Sequence, residues 1–466
     1  MRFPRHTPTL HPQRGASLMV MLVILVIGVS ALLVGSLNSS ALNNSRQQQT
    51  AAALAQAKDA LIGYAITYGD NHSGQVHGYL PCPDYGGGNP EGSAEPVCGI
   101  QNVSVIGRLP WATLDLPTLR DGNGECLWYA VSGTYKNNPK TGLMNWDTNG
   151  QLLAYASDGT LLTPPDNQVV AVIFAPGAPQ PGQNRSGTTA PVCGGNYTAT
   201  NYLDSGIVNG SSYNNADIVT GKFIQGANGG IVNDQMVFIT RQDIWNAIQK
   251  RTDFQLTSPN NPLIQMTTQV ALCLANYGKH NSPNDNNSLP WPAPLSLSDY
   301  ADNTKYDDSA FLYAGRVPYS VTTSKAITSN SFSNLMTTAT CPAGWAGIDP
   351  WWNNWKDHLF YAISQAYKPT NYTNQDCGTC LQINGSGQYA AVVMFASSRL
   401  VGQVRASDTT GANSIPRGTI SNYLEGNNTS NFSGANGNEN YQTGSASSTF
   451  NDVSYCIDQN LNVTPC

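Results

Sequence analysis

Residues 16–35, ASLMVMLVILVIGVSALLVG, form a run of twenty positions without a charge. That is enough to cross a bilayer as a helix at about 1.5 Å per residue. Polar residues follow, yet Leu54, Ala57, Leu61 and Tyr64 keep helical spacing and form one apolar stripe. Residues 16–67 therefore predict a single helix roughly 75–80 Å long, membrane-spanning in its first half. Further on, RQDIWNAIQKR at 241–251 puts Ile244, Trp245 and Ile248 on one side of a short amphipathic helix. PLIQMTTQVALCLANYG at 262–278 predicts another helix that docks on a sheet, with Asn260-Asn261-Pro262 as the linker before it. The low-complexity stretch 426–450 reads as a mobile surface loop.

The pattern also repeats. LWYAVSGTYK at 127–136 and LFYAISQAYK at 359–368 share six identities, with Val131 and Ile363 conservative. Other matches come in the same order: LPCP (80–83) with LPWP (289–292), GRLP (107–110) with GRVP (315–318), and VVAVIFAPG (169–177) with AAVVMFASS (390–398). NYLD (201–204) answers to NYLE (422–425), and NDQMVFI (233–239) to NDVSYCI (451–457). Ordered anchors of this kind imply two homologous units.

Only 11% of the 466 residues are Asp, Glu, Lys or Arg, against about 25% in an average soluble protein. Asn, Ser, Thr, Gly and Tyr leave a neutral, hydrogen-bonding exterior suited to work outside the cytoplasm. A net charge of −6 argues against a nucleic-acid partner, which would want a basic stripe. Ten cysteines suit an oxidising compartment. Arg2, Arg5 and Arg14, with no acid among the first fifteen residues, hold the short flank in the cytoplasm. They place residues beyond about 40 on the periplasmic side of a bacterial inner membrane. A cleaved secretory signal, ending at the poor site Val34-Gly35-Ser36, is the rival reading.

The basic leader 1–15, ending in Gly15 and running into an apolar helix, resembles the amino-terminal segment of type IV pilins and type II secretion pseudopilins. The resemblance implies that a prepilin peptidase cuts between Gly15 and Ala16 and that the new terminus is methylated. It also implies that the helix anchors the protein in the inner membrane and later packs with other pilins or pseudopilins. Major pseudopilins carry a D-P-W-G-x-x-Y-x-Y motif leading into a strand. Here Asp349-Pro350-Trp351-Trp352 stands ahead of Leu359-Phe360-Tyr361, and Asp121-Gly122-Asn123-Gly124 ahead of Leu127-Trp128-Tyr129. The duplicated decapeptide is then the first sheet strand of a pilin-like domain. The implied fold class is α+β: a long membrane-spanning helix at 16–67, then two tandem pilin-like domains at 68–250 and 260–466, each a helix packed on an antiparallel sheet. Pilins usually place Glu fifth after the cut and Phe first. Val20 and Ala16 stand there instead, which resembles a minor subunit at a filament tip. The implied function is structural, in the assembly or at the tip of a pilus or pseudopilus. A pilus-borne adhesin and a signal-anchored periplasmic enzyme are the alternatives.

Candidate chemistry is sparse. Cys456 with Cys466 and Cys82 with Cys98 bracket short loops that disulfides would close. Cys377-Gly-Thr-Cys380 has redox spacing, but without a thioredoxin-like setting a structural bond is the simpler reading than redox work or zinc. Asp121, Asn123 and Glu125 alternate as calcium ligands do, although the closing Glu of a full loop is missing and a plain turn explains them as well. His72 and His77 sit with Asp70 in a polar segment, and no G-x-S-x-G, H-E-x-x-H or phosphate loop occurs. No catalytic residue is assigned and no cofactor is implied beyond calcium. Trp345, Trp351, Trp352 and Trp355 crowd together, either as core or as rings that stack on a glycan or partner.

Overall fold

The computed structural model describes residues 16–164, 168–227, 230–280, 287–328, 330–370, 377–406 and 408–466, with 16–40 as backbone only. Helix α1 (Ala16–Asn71) precedes a four-stranded antiparallel sheet of β1 (Val105–Arg108), β2 (Trp128–Val131), β3 (Val169–Ala175) and β4 (Gln235–Thr240), in that spatial order. Helices α2 (Arg241–Gln249) and α3 (Pro262–Lys279) follow. A five-stranded antiparallel sheet then holds β5 (Ala314–Arg316), β6 (Leu359–Ile363), β7 (Ala391–Phe395), β8 (Val453–Ile457) and β9 (Val463–Pro465), again in spatial order. Helix α4 (Trp345–Trp355) lies between β5 and β6 in the chain.

The repeated segments occupy matching stations. Tyr129 on β2 pairs with Gly107 and Ile173, and Tyr361 on β6 pairs with Gly315 and Val393. Each tyrosine hydroxyl donates to a proline carbonyl of the matched LPxP segment, Pro81 at 3.2 Å and Pro290 at 3.1 Å. Alternation sorts the strands. Leu127, Tyr129 and Val131, like Leu359, Tyr361 and Ile363, enter the core shared with the helices, whereas Trp128, Ala130, Phe360 and Ala362 enter smaller cores on the far face. Both sheet faces are covered, which is why β3 and β7 read as unbroken apolar runs.

Helix α1 buries Ala53, Leu54, Ala57, Leu61, Ala65 and Tyr68 and packs on β3 and β4. Helix α3 packs on β7, β8, β9 and α4. Its start is capped by Asn261, whose side chain accepts from the amides of Leu263 and Ile264, with Pro262 in the first turn. The helix-facing sides of both sheets merge into one hydrophobic core.

Three expectations are corrected. The chain is α+β with several sheets, but among the described residues no helix is long and apolar enough to cross a membrane. This overturns the membrane-spanning part of the expected fold. The described side chains of α1 begin at residue 41 and include Asn43, Asn44, Arg46, Gln47, Gln48, Gln49, Lys58 and Asp59, so that half of the helix offers no apolar stretch to a bilayer. Second, Asp349-Pro350-Trp351-Trp352 does not lead directly into a strand; it lies inside α4. Burial of Trp345, Ile348, Trp352 and Trp355 follows helical spacing, and that apolar stripe outweighs the turn preference of Asp-Pro. Third, 426–450 is tied down. Asn440–Tyr441 pairs in parallel with Leu381–Ile383, and Phe432, Tyr441 and Phe450 are buried anchors within the polar run.

Candidate functional site at the seam between the repeats

A duplicated polar frame underlies both repeats. Arg185 donates from Nε to Asn201 O (3.0 Å), from Nη1 to Gly177 O (2.8 Å), and from Nη2 to Gln183 Oε1 (2.7 Å) and Tyr202 O (3.2 Å). Arg405 makes the same four bonds, to Asn422 O (2.6 Å), Ser397 O (2.8 Å), Gln403 Oε1 (3.0 Å) and Tyr423 O (3.4 Å). The carriers, GQNR at 182–185 and GQVR at 402–405, are a sequence match that the longer anchors overshadow. Arg108 and Arg316, the arginines of GRLP and GRVP, each stack on the matched tyrosines Tyr202 and Tyr423.

Each frame also buries an acid pair. The Asp204 amide donates to Asp234 Oδ2 at 2.7 Å, and the Glu425 amide to Asp452 Oδ2 at 3.0 Å. Asn215 and Asn428 donate to those same two oxygens. Burial, and then the neighbouring acid, push the Asp234 and Asp452 carboxyls well above the usual range. Their Oδ1 atoms have no hydrogen-bond partner.

The repeats diverge where they meet. Arg185 pairs with Glu125 of its own repeat at 3.2 Å, whereas Arg405 reaches across to Asp147 at 3.4 Å. Ahead of the matched strands, Asp357-His358 takes the place of Glu125-Cys126. Cys126 is bonded to Cys193. In the equivalent position His358 has Nε2 at 2.8 Å from Asp147 Oδ2 and Nδ1 at 3.0 Å from Asp357 Oδ1. Arg399 Nε donates to Asp147 Oδ1 at 2.5 Å, and Arg417 pairs with Asp357. Asn145 donates to Asn354 O (2.8 Å) and Asp357 Oδ1 (3.1 Å). The Trp146 indole N–H points at His358 Nε2 (2.9 Å), and its ring meets Trp355 edge-on at 4.5 Å.

Burial disfavours charge on Asp147, but Arg405, His358 and Arg399 outweigh it and hold the carboxyl well below the usual range. Against the same burial, His358 and Arg417 lower Asp357 to about 2. A histidine between two carboxylates can serve as an acid–base relay, yet Asp147, Asp357 and His358 have 0% exposed side chains. No substrate atom reaches them. The arrangement is a joint, in which groups from 145–147 are neutralised only when 357–358 and 399–417 dock in one orientation.

No family model, curated protein or solved structure matches the chain.

The remaining candidates fall as follows. Gly15 lies outside the described residues, and Ala16 and Val20 lie on α1 where side chains are outside them too. Asp121 spends both oxygens on backbone amides: Oδ1 accepts from Asn123 (2.8 Å) and Glu125 (2.9 Å), Oδ2 from Gly177 (2.8 Å). Glu125 is held by Arg185. This turn seats α1, since the Gly122 amide donates to Thr50 Oγ1 at 2.9 Å and a Cβ on Gly122 would lie 2.2 Å from Arg46 O. Among the described residues no group of three or more His, Cys, Asp or Glu is placed to hold a metal ion. Cys82–Cys98, Cys377–Cys380 and Cys456–Cys466 are bonded, as are Cys126–Cys193 and Cys273–Cys341. Trp345, Trp352 and Trp355 are buried in the shared core, which takes them off any binding surface; Trp351 alone of the four is partly exposed.

Proposed function

We propose that the protein is an exported structural subunit of a pilin-like filament or secretion pseudopilus, acting through helix packing at its start or tip. The observation that carries this reading is α1. Its later turns are seated on β3 and β4, while the side chains of 41–49 are exposed on the same helix, Leu42 at 61%, with Gln49 reaching the turn at Asp121. A helix held at one end by a sheet and bare toward the other is shaped to pack against neighbouring subunits. Five disulfides support work in an oxidising compartment. The absence of Glu at Val20 supports a subunit present in few copies. Two measurements test the reading together. Mass analysis of the mature protein should give an amino terminus at Ala16, lost in Gly15→Val. A photo-crosslinking residue at Leu42 should capture pilin-like subunits of the same cell. An amino terminus near Ser36, or crosslinks to no such subunit, refutes it.

A further inference from the structure

A cleft of about 450 Å³ opens where the end of α1, the segment before α3 and the start of α4 meet. Its size is within the roughly 300–1,000 Å³ of small-ligand sites. The partly exposed Trp351 forms one wall, tilted against His77 and Phe254 with ring centroids 5.7 Å away in each case. Asp70 and Asp253 stand along the cleft, and Arg251 fixes both. It donates to Asp70 Oδ2 (2.6 Å) and Oδ1 (3.1 Å), and to Asp253 Oδ1 (3.0 Å) and Oδ2 (2.7 Å). Each carboxylate oxygen accepts one of these bonds and keeps further acceptor capacity. His77 is 4% exposed, yet its Nδ1 has no hydrogen-bond partner. Gly69 packs against that edge, where a Cβ would lie 2.9 Å from Gln75 O and 3.1 Å from both Nδ1 and Cε1. Burial, and then Arg251, lower the His77 pKa, so the ring is neutral at pH 7 and Nδ1 can serve a hydroxyl.

We propose that this cleft binds one uncharged sugar ring of a glycan, stacked on Trp351 and held through its hydroxyls by Asp70, Asp253 and His77 Nδ1. A pyranose has an apolar C–H face for the indole and a rim of hydroxyls that donate to fixed carboxylates. Two carboxylates against one guanidinium leave the cleft negative, which selects against acidic sugars. The site is independent of the filament reading, since none of its groups lies on the bare part of α1.

The test uses the full chain with its disulfides intact. Methyl glycosides of glucose, galactose, mannose, N-acetylglucosamine and N-acetylgalactosamine, with sialic acid as the acidic control, are titrated by saturation-transfer NMR and tryptophan fluorescence. At least one neutral glycoside should bind. Trp351→Ala should weaken it about tenfold or more, the loss expected for one stacked ring. Asp70→Asn with Asp253→Asn should do the same, and Gly69→Ala, which crowds His77 and the Gln75 carbonyl, provides a variant that leaves the indole in place. Circular dichroism matching the parent qualifies each variant. Binding by none of the neutral glycosides, preference for sialic acid, or unchanged affinity in folded Trp351→Ala and Gly69→Ala would overturn the proposal.

Discussion

Replacing Asp147 by Asn removes the anion that two arginines and His358 share inside the seam while keeping the shape of the side chain. Asp147 has no exposed surface and faces Arg399 at 2.5 Å, His358 at 2.8 Å and Arg405 at 3.4 Å. Removing one member of a buried ion cluster costs about 3–5 kcal/mol, because the charges left behind stay desolvated. Two features favour the lower figure. The Arg399 side chain is 17% exposed and can turn toward water, and Arg405 keeps its neutral acceptors at Asn422, Ser397, Gln403 and Tyr423. The expected loss is therefore about 3 kcal/mol. Urea unfolding of the oxidised protein, followed by tryptophan fluorescence, measures it, since Trp146 and Trp355 report the seam directly. The internal control is Glu125→Gln. It breaks the matched pair with Arg185 at a site where the glutamate side chain is 25% exposed, and should cost no more than about 1 kcal/mol. Equal losses in the two variants, or a loss below about 1 kcal/mol in Asp147→Asn, would show that the seam is not what locks the repeats.

The acid limb of stability should trace the lowered carboxyls. Contributions from Asp147 and Asp357 are present above the ordinary carboxylate pKa of about 4 and fade as pH falls through their lowered folded values, about 2 for Asp357 and well below the usual range for Asp147, so the unfolding midpoint should drop below about pH 4 and less so in Asp147→Asn. The raised pair acts with the opposite sign: Asp234 and Asp452 contribute fully below about pH 4 and lose that contribution as pH rises through their elevated folded values. Asp234→Asn and Asp452→Asn, neutral at every pH, should raise the midpoint at pH 8 more than at pH 5, as urea titrations at the two pH values would show. Paired serine replacement of Cys126 and Cys193, 67 residues apart, should cost about 4 kcal/mol, against about 2 kcal/mol for Cys377 and Cys380, three apart, from loop-closure entropy measured by the same unfolding.

Local periodicity and self-similarity were legible without coordinates. The helical stripe at Leu54, Ala57 and Leu61, the amphipathic face of 241–251 and the matched strands all depend on which side of one element turns inward. Neighbouring residues record that choice. The helix at 345–355 was legible by the same rule but was masked by the turn preference of Asp349-Pro350. What the sequence could not disclose was the meeting of groups far apart in the chain. Nothing local marks Asp147 as the partner of an arginine 258 positions later, or His358 as the occupant of a disulfide's place. Those roles exist because two copies of one frame pack on a common core, and the charges they bury there must be neutralised by whatever the other copy presents. Composition foretold that cysteines would pair, whereas Cys126–Cys193 and Cys273–Cys341 were settled by which strands and helices come together. The acid pairs are the clearest division. NYLD, NYLE and the two Asn-Asp segments were visible as repeats, but only packing brings the acids within reach and strips them of water, and that desolvation is what raises the Asp234 and Asp452 carboxyls.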